Sequence, residues 1–178
     1  MLNPSLLLTR LSSVNDDQET IRTIVFALAD IEDTSMSEYL FALPVEAVAR
    51  AIVYPTHKTI LKDGIGMINI GDQTLTIVDL RQKFVAIAPK TDTSKFLILF
   101  NTQAGELCGL PVKDAPVLID LPFDKIRPLP PAYRQVNQLN FASHLAIIPQ
   151  GEDLEPLQIL LLGMEQTISQ SSDRHQLN

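Results

Sequence analysis

Short apolar runs separated by polar or turn-forming residues dominate the chain. Ile24–Leu28, Tyr39–Leu43, Met67–Ile70, Leu75–Val78, Phe96–Phe100, Leu107–Leu110, Val117–Leu121, Leu145–Ile148 and Ile159–Leu162 are each four or five residues long. They are partly β-branched or aromatic, and Gly, Pro, Asn or Asp bounds them, which is the pattern of strands packed on a pleated surface. Gly71-Asp72 predicts a two-residue hairpin turn between Met67–Ile70 and Leu75–Val78, because glycine accepts positive φ without a steric penalty. The stretch 151–156, Gly-Glu-Asp-Leu-Glu-Pro, predicts a second hairpin loop. Helical signals are sparse. Val45, Val48, Ala49 and Ile52 follow helical spacing, but the segment is short and also fits a turn leading into a strand. Asp79–Phe84 can begin another short helix. Pro122, Pro128, Pro130 and Pro131 push their predecessors toward extended backbone, so 121–135 is expected to be a stiff connection rather than a helix.

The pattern repeats. Two apolar runs, joined by a polar loop and closed by Leu-Pro-Val, occur first at Ile24–Val45 and again at Leu97–Val112, with the Leu-Pro-Val marks 67 residues apart. The Met67–Leu80 hairpin is matched by the Leu145–Leu162 hairpin. The simplest architecture is two small, similar β-barrels packed on each other, since closing a short sheet removes its aggregation-prone edges. The expected fold is therefore mainly all-β, two packed five-stranded barrels with short helices. A leading extension covers 1–21, the double-barrel domain 22–168, and a frayed tail 169–178. Leu7, Leu11 and Val14 fall at i, i+4 and i+7, which fits a short amphipathic helix in the extension. The last fourteen residues, rich in Gln and Ser, predict a helical turn and then fraying.

Composition narrows the function. The 178 residues are 46% hydrophobic and 20% charged, as in folded globular proteins. Fourteen basic against twenty-one acidic residues give a net charge of −7. The deficit is spread over both halves, and the pI is near 4.8. No basic stripe is available to attract nucleic-acid phosphates or anionic membrane surfaces. No apolar stretch reaches the roughly 18–20 residues needed to cross a bilayer, and the first ten residues lack the basic region and long apolar core of a signal peptide. Cys108 is the one cysteine. It cannot form an internal disulfide, and its apolar surroundings predict a buried thiol in a cytoplasmic protein. Residues 135–150 carry no formal charge, which fits a packed crossover or a surface facing a partner.

Catalytic patterns are missing. The chain has no nucleophile elbow, no His-Glu-x-x-His and no Walker A loop. Gly64-Ile-Gly66 with Gly71 has the wrong spacing for a dinucleotide fingerprint and leads into a strand. His57, His144 and His175 are far apart. Ser143 and His144 are adjacent, and on a regular strand they point to opposite faces. Asp79 and Asp120 occupy comparable regions of the two halves and would need to converge in a cleft to work as a pair. No metal or cofactor is expected. The reading is a non-enzymatic binding scaffold. The alternative is a small-ligand-binding or enzymatic β-barrel, with a deep polar pocket around His144 or Asp120.

The segment Gly64-Ile-Gly-Met-Ile-Asn-Ile-Gly-Asp-Gln-Thr-Leu-Thr-Ile-Val-Asp-Leu-Arg81 resembles the chemotaxis coupling proteins of the CheW family. Gly66, Asn69, Asp79, Leu80 and Arg81 match that family's pattern in register. Leu43-Pro44-Val45 with Val48, Gly109-Leu-Pro-Val112 and Asp120-Leu-Pro122 match further steps, and the match extends over about 22–168. The resemblance implies twin SH3-like barrels that couple a methyl-accepting chemoreceptor or photoreceptor to a CheA-type histidine kinase, without catalysis. The wording around Thr74–Leu80 and Pro122–Pro130 is similar to the cyanobacterial branch, which implies phototaxis and pilus motility.

The chain departs from the family where partners are expected to bind. Gly71 replaces an Arg, Asp72 a Gly, Thr76 a Pro, and Arg50 an acidic residue. Lys113 stands at an acidic position, and Gly163 at a terminal Asp. Charge reversal at an interface changes which partner is accepted, so an acidic group opposite Arg50 is expected. Under the resemblance, the candidate partner-binding residues are Val48 and Val112 as apolar anchors, with Arg50, Asp72 and Arg81 setting register. Asn69, Gly71 and Asp79 complete the set, although Asn69 and Asp79 equally suit holding the hairpin.

Overall fold

A computed structural model describes residues 18–29, 39–55, 61–62, 64–83, 93–102, 104–136, 141–150 and 154–163. The leading Leu7/Leu11/Val14 segment, the closing tail, His57 and His175 lie outside the described residues. Twelve strands are described. The first six are β1 (Thr20–Phe26), β2 (Tyr39–Pro44), β3 (Val48–Val53), β4 (Leu61–Lys62), β5 (Ile65–Ile70) and β6 (Gln73–Val78). The second six are β7 (Phe96–Asn101), β8 (Leu107–Val112), β9 (Val117–Pro122), β10 (Ile126–Pro128), β11 (Ala142–Ile148) and β12 (Leu157–Leu162). They form two sheets, in the orders β10-β11-β12-β2-β1-β9 and β3-β7-β8-β6-β5-β4. Each sheet has five strands of six or seven residues and one stub, β4 or β10.

Adding six to each strand number of the second sheet's first-half strands, and subtracting six from the others, converts one order into the other. The sheets are therefore related by a pseudo-two-fold, as the sequence repeat implies. The repeat does not map one half onto one barrel. Hairpin β1–β2 joins the last strands of the chain, with β2 parallel to β12, and hairpin β7–β8 joins the first half, with β8 parallel to β6. Each barrel is thus completed by a hairpin from the other half. Closure of the first barrel follows from its connections. Six strands about 4.8 Å apart would put flat edges roughly 24 Å apart, yet edge strands β9 and β10 are joined by one 3-10 turn, Phe123–Lys125.

Three apolar clusters account for the sequence runs. One fills the first barrel with Val25, Leu40, Ala42, Ile119, Ile159 and Leu161 among others. A smaller one fills the second with Ile68, Leu75, Ile77, Leu97 and Leu99. The third lies between the barrels and includes Phe26, Phe41, Leu43, Ile98, Leu110, Val112, Leu160 and Leu162. Strands β2, β7, β8 and β12 therefore bury both faces and read as unbroken apolar runs. Strands β5 and β6 face solvent on one side and alternate.

Local chemistry sets the details. Gly71, at φ 59°, opens the two-residue β5–β6 turn as the sequence predicts. The Val45–Ile52 spacing resolves into a 3-10 turn, Val45–Ala47, followed by β3. Asp79–Phe84 begins with a 3-10 turn at Leu80–Lys83. The stiff connection across 121–135 needs correction, because Pro131–Val136 is a helix, α1. Proline is acceptable at a first helical position, where its missing N–H has no partner to lose. The Arg134 N–H closes the turn on the Pro130 carbonyl at 3.1 Å.

Gly109 has a packing role. A Cβ there would lie 2.7 Å from Ile77 Cδ1 and 3.1 Å from Leu97 Cδ1. Gly109→Ala is expected to cost about 1–3 kcal/mol through overpacking, read as a lower urea midpoint. Ile77→Val deletes the clashing Cδ1, so the double variant is expected to recover part of the loss. Equal, additive losses would mean that the contact is not the cause.

Candidate partner-binding site

The apolar surface of the two barrels opens at their junction. A cleft of about 520 Å³ lies there. Leu43, Val78, Leu110 and Leu162, from the ends of β2, β6, β8 and β12, line it. These four are two pseudo-equivalent pairs. Leu43 and Leu110 are the leucines of the two Leu-Pro-Val marks, and Val78 stands to β8 as Leu162 stands to β2. The cleft therefore straddles the two-fold relation between the barrels. Phe100, Phe141 and Leu80 add apolar wall, and Asn101 and Thr102 add polar rim. Glu46, exposed on the 3-10 turn after β2, is the one charged residue lining it among those described.

The apolar lining continues outward. Val78 pairs across the hairpin with Ile65, and Met67 stands two residues along the same strand face. Ile65 is 59% and Met67 70% exposed. Two large apolar side chains left in water beside an apolar cleft mark an interaction surface more clearly than scattered ones would.

The expected site residues fall into two groups. Arg50, Asn69, Gly71 and Asp72 are exposed. Arg50 sits beside a register shift in β3, an edge strand whose pairing moves between Val48–Phe100 and Arg50–Leu99. Asn69 accepts a 2.7 Å hydrogen bond from Thr74 Oγ1 across the hairpin that Gly71 and Asp72 close. Arg50 and Asp72 are not brought together, because β7, β8 and β6 separate their strands. Val48 is half-buried against the inter-barrel core.

Asp79, Arg81 and Val112 are interior. Val112 is fully covered by the inter-barrel core, so its side chain is not presented at the surface. Asp79 and Arg81, each 2% exposed, form a bidentate pair. Arg81 Nε donates to Oδ1 at 2.8 Å and Nη2 to Oδ2 at 2.6 Å. The Arg81 backbone N–H adds a 3.0 Å bond to Oδ1, and the Asp79 N–H donates to the Gly64 carbonyl at 2.7 Å. This bracket holds the turn between Val78 and Leu80, so both cleft-lining side chains are set by it. In the second half Gly163, at φ 65°, follows β12 at the corresponding place.

The polar groups named for the rival reading do not line the cleft. Asp120 lies on the outer face, paired with Arg22 at 2.9 Å; that hydrogen bond and charge hold the guanidinium pKa above its usual value. Ser143 and His144 require a correction, since Oγ and Nδ1 lie 2.9 Å apart. Strand alternation fails there because β11 carries a bulge, with Ala142 opposite Leu162 and His144 opposite Leu161. Ser143 Oγ, which is buried, also lies 3.4 Å from the Leu161 carbonyl. Cys108 is a free buried thiol, and burial, with Glu106 nearby, pushes its pKa up. Among the described residues no cluster of His, Cys, Asp and Glu could hold a metal. None of their helices is long and apolar enough to cross a membrane.

Twin barrels joined at an apolar cleft, lined among the described residues by one charged side chain, are the architecture to be placed. The chain belongs to the CheW-like domain family, whose model matches residues 26–171. Its fold is similar to that of the scaffolding protein TtCheW from Thermoanaerobacter tengcongensis. That structure aligns at a TM-score of 0.59 and 19% identity, over 85% of this chain and 89% of the other. A search of curated proteins finds no match. The cleft residues Val78, Phe100 and Phe141 were not singled out by the sequence as site residues. The signal available was that Val78 and Phe100 each end an apolar run; Phe141 stands four residues before the run at Leu145 and carried none.

Proposed function

We propose that the chain is a cytoplasmic, non-enzymatic adaptor that couples a methyl-accepting receptor to a CheA-type histidine kinase, in the phototaxis and pilus-motility branch of chemotaxis-like signalling. The observation that carries this reading is the apolar inter-barrel cleft, continuous with exposed Ile65 and Met67, in a CheW-like chain. An apolar cleft with a polar rim suits an amphipathic helix, which inserts a few side chains and leaves its other face in water. The receptor's helical tip takes the cleft. The kinase's regulatory barrel meets the exposed edge and turns of the second barrel, where Arg50, Asn69, Gly71 and Asp72 lie. Asp79, Arg81 and Val112 act from inside, by shaping those surfaces, and Val48 bridges the edge strand to the core.

Val78→Glu places a charge in the cleft at a half-buried position. It is expected to weaken binding of a receptor-tip helical hairpin at least about tenfold, because a desolvated unpaired charge costs more than 1.4 kcal/mol. Kinase binding should be unchanged. Arg50→Glu combined with Asp72→Arg should give the opposite split. Calorimetric titration of both variants checks this, and equal loss of both partners, or of neither, would remove the two-surface assignment.

A further inference from the structure

We propose that residues 5–14 of this same chain occupy the inter-barrel cleft in cis and compete with the partner helix for it; the competition, though not the docking, rests on the reading of the cleft as the receptor site. The path of β1 points there. Thr23 lies opposite Pro44, the last residue of β2. Thr20–Arg22 therefore runs on past the end of β2, beside the Val45–Ala47 turn that walls the cleft. The influence of Glu46 on the Arg22 guanidinium reports the same proximity. The chain preceding β1 thus enters one strand away from the cleft, between the Val45–Ala47 turn and Phe123, whose N–H donates to the Glu19 carbonyl at 3.1 Å. Residues 15–19 can span about 17 Å when extended, enough to bring what precedes them over the opening.

The sequence of that segment matches the cleft in two ways. Leu7, Leu11 and Val14 form one apolar stripe at helical spacing. A helix this short is unstable alone in water and needs an apolar surface to form on. Arg10 is the one basic residue among the first twenty-one. Glu46 is the one charged residue lining the cleft and makes no ion pair among the described residues. A five-residue tether gives an effective concentration of about 1 mM. A segment with an intrinsic Kd of about 0.1 mM would then be docked about ten to one, and a competing helix would bind about tenfold more weakly.

The test uses the full chain with labelled Leu and Val methyl groups. Leu7→Glu with Leu11→Glu is expected to shift the methyl resonances of Val78, Leu110 and Leu162, independently of protein concentration. Arg10→Glu is expected to shift the same signals in the same direction, and adding Glu46→Arg to reverse it. A receptor-tip peptide should bind the Leu7→Glu/Leu11→Glu protein about tenfold more tightly than the parent. Unmoved methyl signals in both variants would overturn the docking, as would shifts in the parent spectrum that disappear on dilution, which would make the occupant a second copy. Moved signals with unchanged peptide affinity would overturn the competition. The methyl readout contains no partner, so absence of any peptide binding would count against the proposed function while the docking stands or falls on the spectra.

Discussion

Removing the Asp79 carboxylate is expected to cost about 3–5 kcal/mol, because Asp79→Ala leaves the Arg81 guanidinium buried without its counter-charge. The geometry makes the pair a local one. Both residues flank Leu80, both are 2% exposed, and the carboxylate also receives the Arg81 backbone N–H. Asp79→Asn keeps the shape and loses the charge, so it should recover little. Asp79→Leu combined with Arg81→Met removes both charges, and should lie well above either single variant, since a buried pair repays little more than its own desolvation. Urea unfolding of the four proteins measures this. A surface pair such as Lys95–Asp114, at 2.8 Å but with Lys95 67% exposed, contributes at most about 1 kcal/mol. A loss that small for Asp79→Ala would show that the bracket is solvated in solution. The loss should also reach the cleft, since Val78 and Leu80 hang from the bracket.

The strands were legible because burial is written into them twice. Alternation in β5 and β6 marks one wet face, and the unbroken runs of β2, β7, β8 and β12 mark two dry ones. The repeat announced twin sheets. It could not announce that hairpins β1–β2 and β7–β8 change places, because either assignment buries the same side chains and only long-range pairing distinguishes them. Two local readings failed for local reasons. Among clustered prolines Pro131 reads as a breaker, yet it stands where a helix can begin. Alternation puts Ser143 and His144 on opposite faces of a regular strand, and a one-residue bulge, which leaves no composition signature, brings them into contact.

The site was legible in outline only. The matched residues Asn69, Asp79, Leu80 and Arg81 sit together on one hairpin and its exit turn, but the sequence could not say which are wet. Asp79 and Arg81 have charges that usually mark a surface, and their mutual pairing two residues apart is what lets them be buried. Val112 carries the same ambiguity in reverse, since an apolar residue beside a proline suits an anchor or a core. The cleft itself draws on β2, β6, β8 and β12, which are brought together by the hairpin exchange, so no local pattern could have outlined it.

That exchange has a measurable consequence. Phe41→Ala is expected to cost about 3–5 kcal/mol and to weaken both barrels together. Phe41 is fully buried in the cluster between the sheets, and its ring stacks on Phe26 with centroids 6.1 Å apart and planes at 22°. Both rings belong to the β1–β2 hairpin, which completes the barrel built from the second half of the chain. Their other neighbours in that cluster include Ile98, Leu110 and Val112, on the hairpin that completes the opposite barrel. A cavity here therefore loosens the two exchanged hairpins at once, and neither barrel keeps a full sheet if its hairpin leaves. The variant should unfold in one transition, with coincident far-ultraviolet circular dichroism and tyrosine fluorescence midpoints, and with an unchanged dependence on urea. Phe41→Leu, which refills most of the space, should return more than half of the loss. Two separated transitions would show that each barrel is stable without the hairpin it borrows, and the exchange would then be a matter of connectivity alone.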